Sequence, residues 1–273
     1  MTLLVTLLLG AAVGAHASTW GMYKDAPHEG FTWPQYLRSL LLSIAIAPLV
    51  SRVFAVEPTS AATALILFGC IYAMERAILE AWKTFFRAED QSKYTIPMQL
   101  AVFGKTVGSR AARFFFGVLY VGAIVGGLLL LRSYQPAPGT SLLFLAVTIG
   151  ALGGWYSAFG GAWKDAPIEG FQILKFFRSP LIAASFAYLL FRLGATPVQG
   201  TFGAIGYTVA TTETYKTFFF PSKPRGKFAG KPVRFPDWLE KRKRFVPLYL
   251  LIWILILAGF VVALSAAPAL PSA

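Results

Sequence analysis

Charge, cysteine and histidine are all scarce in this chain. Only 14% of its 273 residues are charged, while 56% are hydrophobic, and mean hydropathy is +0.60. A soluble domain of this size needs more charge than that to cover its surface. The one cysteine, Cys70, excludes a disulfide framework or a cysteine metal site within a single chain. The two histidines, His16 and His28, are too few for a histidine-ligated centre in each half of a duplicated chain. Also missing are a Gly-x-Ser-x-Gly elbow, a His-Glu-x-x-His site and an Asp-rich polyprenyl motif. No catalytic residue is therefore assigned and no cofactor is expected.

Long apolar runs are what the chain does have. They are continuous rather than alternating at period two, and several approach the roughly 20 residues that cross a bilayer. This pattern predicts an all-α integral membrane protein, since only helices and closed barrels satisfy their backbone in lipid. Eight spans are expected, at about 3–23, 36–56, 60–82, 114–131, 142–163, 176–193, 198–215 and 245–264. The first resembles a secretory signal, with Ala15-His16-Ala17 as a small-residue site. Its glycines recur mid-chain, at Gly150, Gly154 and Gly161, and no Lys or Arg precedes it, so it is read as retained.

The chain repeats itself. Lys24-Asp25-Ala26-Pro27-His28-Glu29-Gly30-Phe31 returns 140 residues later as Lys164-Asp165-Ala166-Pro167-Ile168-Glu169-Gly170-Phe171. From Gly21 to Ser39, 10 of 19 positions are identical at that offset. The offset becomes 133 where Glu80-x-x-Lys83-Thr84-Phe85-Phe86 matches Glu213-x-x-Lys216-Thr217-Phe218-Phe219, and 131 where Arg113-Phe114 matches Arg244-Phe245. Order is kept throughout, which is the mark of duplication. The expected architecture is two tandem four-helix repeats, 1–132 and 142–265. A Pro/Gly-rich linker, 133–141, joins them, and a disordered tail, 266–273, follows.

Four helices per repeat is an even number. Both repeats then insert the same way up, related by a pseudo-two-fold axis along the membrane normal. All but three of the 25 basic residues fall on one side; Arg52, Arg132 and Arg192 are the exceptions. By the positive-inside rule the charged segments are cytoplasmic and both termini outside. A multi-pass protein of a cell membrane, of the bacterial cytoplasmic type, is expected. This bias explains most of the net charge of +13 without nucleic acid.

The candidate substrate or ion-binding residues are Lys24, Asp25, Glu29, Arg38, Glu80 and Lys83, with their counterparts Lys164, Asp165, Glu169, Arg178, Glu213 and Lys216. A simpler reading stands beside this one. Pro27 and Pro167 would open a new helix, Glu29 and Glu169 would sit near its positive end, and Glu80 and Glu213 would pair with Lys83 and Lys216. The basic segment Lys223–Arg244 is expected to meet anionic lipid headgroups. Gly10-x-x-x-Gly14 and Gly150-x-x-x-Gly154 would bring the first helices of the repeats together, or form a homo-oligomer contact.

Three functions remain open at this level. The first is a transporter or channel for an anionic or lipid-phosphate substrate, with its path between the repeats and a cytoplasmic charged gate. The second is a lipid-phosphate enzyme that uses the acids for Mg²⁺. The third is a non-catalytic subunit of a membrane complex.

Overall fold

The computed structural model describes residues 1–220 and 226–268. Lys223 and Arg225 of the basic segment, and residues 269–273 of the tail, lie outside the described residues. The chain is nearly all helix: α1 (Thr2–Glu29), α2 (Trp33–Phe54), α3 (Ala61–Ala81), α4 (Arg110–Ser133), α5 (Leu142–Leu145), α6 (Leu152–Glu169), α7 (Ile173–Arg192), α8 (Pro197–Phe218), α9 (Trp238–Lys241) and α10 (Val246–Ser265). A π turn, Trp82–Phe86, extends α3, and another, Ala146–Gly150, joins α5 to α6. The one sheet among the described residues is a two-stranded hairpin, Ala101–Val102 against Lys105–Thr106. Phe103 and Gly104, both at positive φ, make its turn.

Seven of these helical stretches are long and apolar enough to cross a membrane. The exception among the long helices is α8. At 22 residues it matches α2 in length, but it is rich in Gly and Thr. Its location accounts for that composition. Gly200, Thr201, Gly203, Gly206, Thr208 and Thr212 are buried, and a helix screened from lipid by its neighbours needs no apolar surface.

The core is the crossing of α3 and α8. Gly69 and Gly206 allow it: a Cβ on Gly206 would lie 2.0 Å from the Gly69 carbonyl oxygen. The Tyr207 hydroxyl donates to the Leu65 carbonyl at 2.9 Å, tying the same two helices. Around this seam α1 packs on α2, and α6 on α7. The glycine pairs serve those contacts. A Cβ on Gly14 would meet the Ser39 carbonyl and Leu40; one on Gly154 would meet the Ser179 carbonyl and Pro180. The expectation that these glycines bring the two first helices together is therefore corrected. Each pair instead holds its own hairpin.

α4 and α10 each pack against a helix distant in sequence. Tyr249 of α10 stacks on His16 of α1 with ring centroids 4.2 Å apart. Tyr120 of α4 lies 6.3 Å from Tyr156 of α6. The outward faces of α4 and α10 are apolar and exposed, as at Leu119, Leu130, Leu251 and Ile254.

Candidate functional site

The repeated motif closes a helix rather than opening one. α1 runs without a break through Pro27 to Glu29, and Gly30, at φ 78°, ends it; Pro167 and Gly170 repeat this in α6. Pro27 has no N–H, so the carbonyl one turn back, on Tyr23, loses its helical partner. Arg242 supplies the replacement, donating to the Tyr23 oxygen at 2.6 Å. The Pro27 carbonyl accepts from the backbone N–H groups of Arg234 (2.9 Å) and Phe235 (3.0 Å). Glu29 consequently sits at the negative end of a helix dipole, which disfavours a carboxylate. Lys93 (3.3 Å), Lys227 (3.4 Å) and the Tyr94 hydroxyl (2.9 Å) offset that. Lys227 also pairs with Asp25 at 2.8 Å.

These residues line a cavity of about 210 Å³ in the first half, between the C-terminal end of α1, the start of α2 and the end of α3. Its cations are Arg38, Arg76, Lys83, Arg87, Lys93 and Lys227; its anions are Asp25, Glu29 and Glu89. Five of the cations have a carboxylate partner: Arg76 with Glu75, Lys83 with Glu80, Arg87 with Glu89, Lys93 with Glu29 and Glu89, and Lys227 with Asp25 and Glu29. Arg38 makes no ion pair or hydrogen bond among the described residues.

A second cavity, of about 350 Å³, lies between α6, α7, α8 and the end of α3. Lys164, Asp165, Lys175, Arg178 and Lys216 line it, with Glu80 contributed by α3. Here Lys175 pairs with Asp165 (3.1 Å) and Glu169 (2.8 Å). Arg178 lies 5.6 Å from the Tyr215 ring centroid.

The candidates thus gather at one end of the bundle, but around two cavities that flank the α3–α8 seam. They are cross-linked through that seam. Lys24 of the first half pairs with Glu213 of the second at 3.0 Å, and Glu80 of the first shares a cavity with Lys164 of the second. Lys216 keeps a longer contact to Glu213, 3.4 Å. The loops are exchanged as well. Thr95 donates to the Lys227 carbonyl at 2.7 Å, and the Trp163 indole donates to Ala101 of the hairpin at 3.1 Å. Within the basic segment, Lys227 and Arg242 face inward, whereas Lys241 and Lys243 are exposed.

In the loop beyond the spans the acids and bases support each other. Burial alone would raise the Glu89 carboxyl; a hydrogen bond from Lys93 and the charge of Arg87 outweigh it and hold the group below its usual range. Burial opposes charge on Lys93 too, but Glu89 and Glu29 raise its ammonium. The Tyr94 phenol is pushed up by burial and by the Glu29 carboxylate.

Sequence reasoning missed a buried polar chain in the first half. Glu75 is fully buried beside Arg76, which donates to the Ser39 hydroxyl at 3.2 Å. Above them Trp20 donates to the Tyr72 hydroxyl at 2.8 Å, and His16 bonds that hydroxyl at 2.9 Å. At the repeat offsets these positions become Thr208, Val209, Gly160, Ile205 and Tyr156, so a search for shared residues passes over them. The usable signal was Glu75-Arg76 inside an apolar run, because an ionisable residue there needs a partner.

Asp25 and Glu29 both accept Lys227. Among the described residues no group of three or more His, Cys, Asp or Glu converges as a metal ligand set. No family model, curated protein or solved structure matches the chain.

Proposed function

We propose that this chain is a membrane transporter for an anionic, phosphate-bearing substrate, which it holds at the cytoplasmic headgroup level. Eight helices span in this reading, with α8 as the sheltered eighth. They form two four-helix repeats related by a pseudo-two-fold along the α3–α8 seam, with both termini outside. The matched contacts of Gly14 and Gly154, the paired cavities and the crossed pair Lys24–Glu213 support the duplication. The meeting of all four charged segments at one end supports the orientation, given the positive-inside rule. The exposed Lys241 and Lys243 suit contact with anionic headgroups.

Arg38 carries the substrate assignment. It lines a cavity with more cations than anions and makes no ion pair or hydrogen bond among the described residues. A planar guanidinium in that setting fits a phosphate through paired N–H donors. The path lies through the cavities beside the seam, because the seam itself is closed by the Gly69–Gly206 approach. The test is titration of the purified protein with glycerol 3-phosphate by calorimetry. Wild type binds, and Arg38→Gln loses at least about tenfold in affinity, roughly 1.4 kcal/mol. Equal affinity in the two proteins would remove Arg38 from the site.

A further inference from the structure

The two cavities differ in their walls, and the difference has a chemical meaning. The first is lined by loops as well as by helices. Arg87, Glu89, Lys93 and Lys227, brought in by two loops, roof it. On the side of α1, Trp20 lines it, with its ring buried to 7% exposure and Lys24 4.8 Å from the ring centroid. The second cavity has no such roof; its lining comes from the end of α3, from α6, α7 and α8, and from the turn between α6 and α7. Where the first half has Trp20, the second has Gly160. A Cβ at Gly160 or Gly161 would meet nothing within 4 Å. Tyr156 and Phe159, beside this gap, are 61% and 62% exposed.

A basic chamber therefore opens sideways onto an apolar helix face. Lys164, at the inner edge of the gap, makes no ion pair or hydrogen bond among the described residues. We propose that the second cavity is a binding site for a membrane lipid with a phosphate headgroup, entered laterally from the bilayer. The phosphate lies among Lys164, Arg178 and Lys216. The acyl chain leaves through the Gly160–Gly161 gap and runs along Tyr156 and Phe159. Basic pockets between helices at the cytoplasmic side are suited to such headgroups. A free phosphate would use the same cations but gain nothing from the gap. This site is separate from the one assigned to Arg38.

The test is native mass spectrometry of the full chain purified with phosphatidic acid or phosphatidylcholine. Wild type retains one phosphatidic acid and little phosphatidylcholine, and millimolar inorganic phosphate does not displace the lipid. Gly160→Trp, which restores the residue of the first half, and Lys164→Gln each reduce occupancy about tenfold or more, a change of roughly 1.4 kcal/mol. Arg38→Gln leaves the lipid bound, so failure of the first-cavity assignment is read separately. Gly160→Trp enters open space, and its melting temperature confirms the fold. The proposal is overturned by undiminished retention in both second-cavity variants, by equal retention of phosphatidylcholine, or by displacement with inorganic phosphate.

Discussion

Replacing Lys24 with Met should loosen the joint between the two halves. The Lys24 ammonium lies 3.0 Å from Glu213, and the two side chains are only 20% and 15% exposed. Exposed ion pairs contribute about 0–1 kcal/mol. Removing one partner of a fully buried pair costs about 3–5 kcal/mol, because the other charge is stranded. This pair lies between those limits, and Lys216 still reaches Glu213 at 3.4 Å. A loss of about 2 kcal/mol follows, or roughly 4–8 °C in melting temperature at this chain length. Glu213→Gln removes the stranded charge, so the double variant should recover much of that loss. The assay is a double-mutant cycle of thermal unfolding in one detergent. A coupling below about 0.5 kcal/mol, the ordinary error of additivity, would refute the role given to the pair.

Three further outcomes are expected. Gly206→Ala places a methyl 2.0 Å from the Gly69 backbone, so α3 and α8 must part at about 1–3 kcal/mol; Gly21→Ala, with open space around it, should leave the melting temperature unchanged. Arg242→Ala strands the Tyr23 carbonyl at a cost of about 1.5–3 kcal/mol, and adding Pro27→Ala should recover part of it by restoring the helical N–H, as read from the melting curves. The Glu89–Lys93 anchor has two pH limits. Because Glu89 is depressed, its contribution is present above the usual carboxylate range and lost as pH falls through the lowered value. Because Lys93 is raised, its contribution is present below the ordinary lysine range and lost as pH rises through the raised value. The protection of the Thr95 amide, its exchange rate taken relative to the intrinsic rate at each pH, should be greatest near neutrality and fall towards both extremes; protection that does not change with pH would contradict the anchor.

The helices were legible because their apolar runs are long and uninterrupted, and the charged motif because it occurs twice. Its role at a helix end was harder to read. Pro27 sits in the last turn of α1, where Arg242, 219 positions away, occupies the carbonyl that the proline frees. Local propensity favours proline in a first turn and cannot register that distant donor. The division into two cavities was hidden for a related reason. Both copies share Asp, Glu, Gly and Arg, while the walls that separate their environments, Trp20 against Gly160, lie at positions that do not match. The Glu75–Arg76 pair escaped notice because the second half has no counterpart.

Transport itself is tested most directly in proteoliposomes. Radiolabelled glycerol 3-phosphate and a fluorescent phosphatidic acid would be followed across the bilayer, with wild type and Arg38→Gln reconstituted in parallel. Glycerol 3-phosphate flux is expected in wild type and is lost in Arg38→Gln. Wild-type vesicles that bind phosphate ligands yet move neither probe faster than empty vesicles would contradict it.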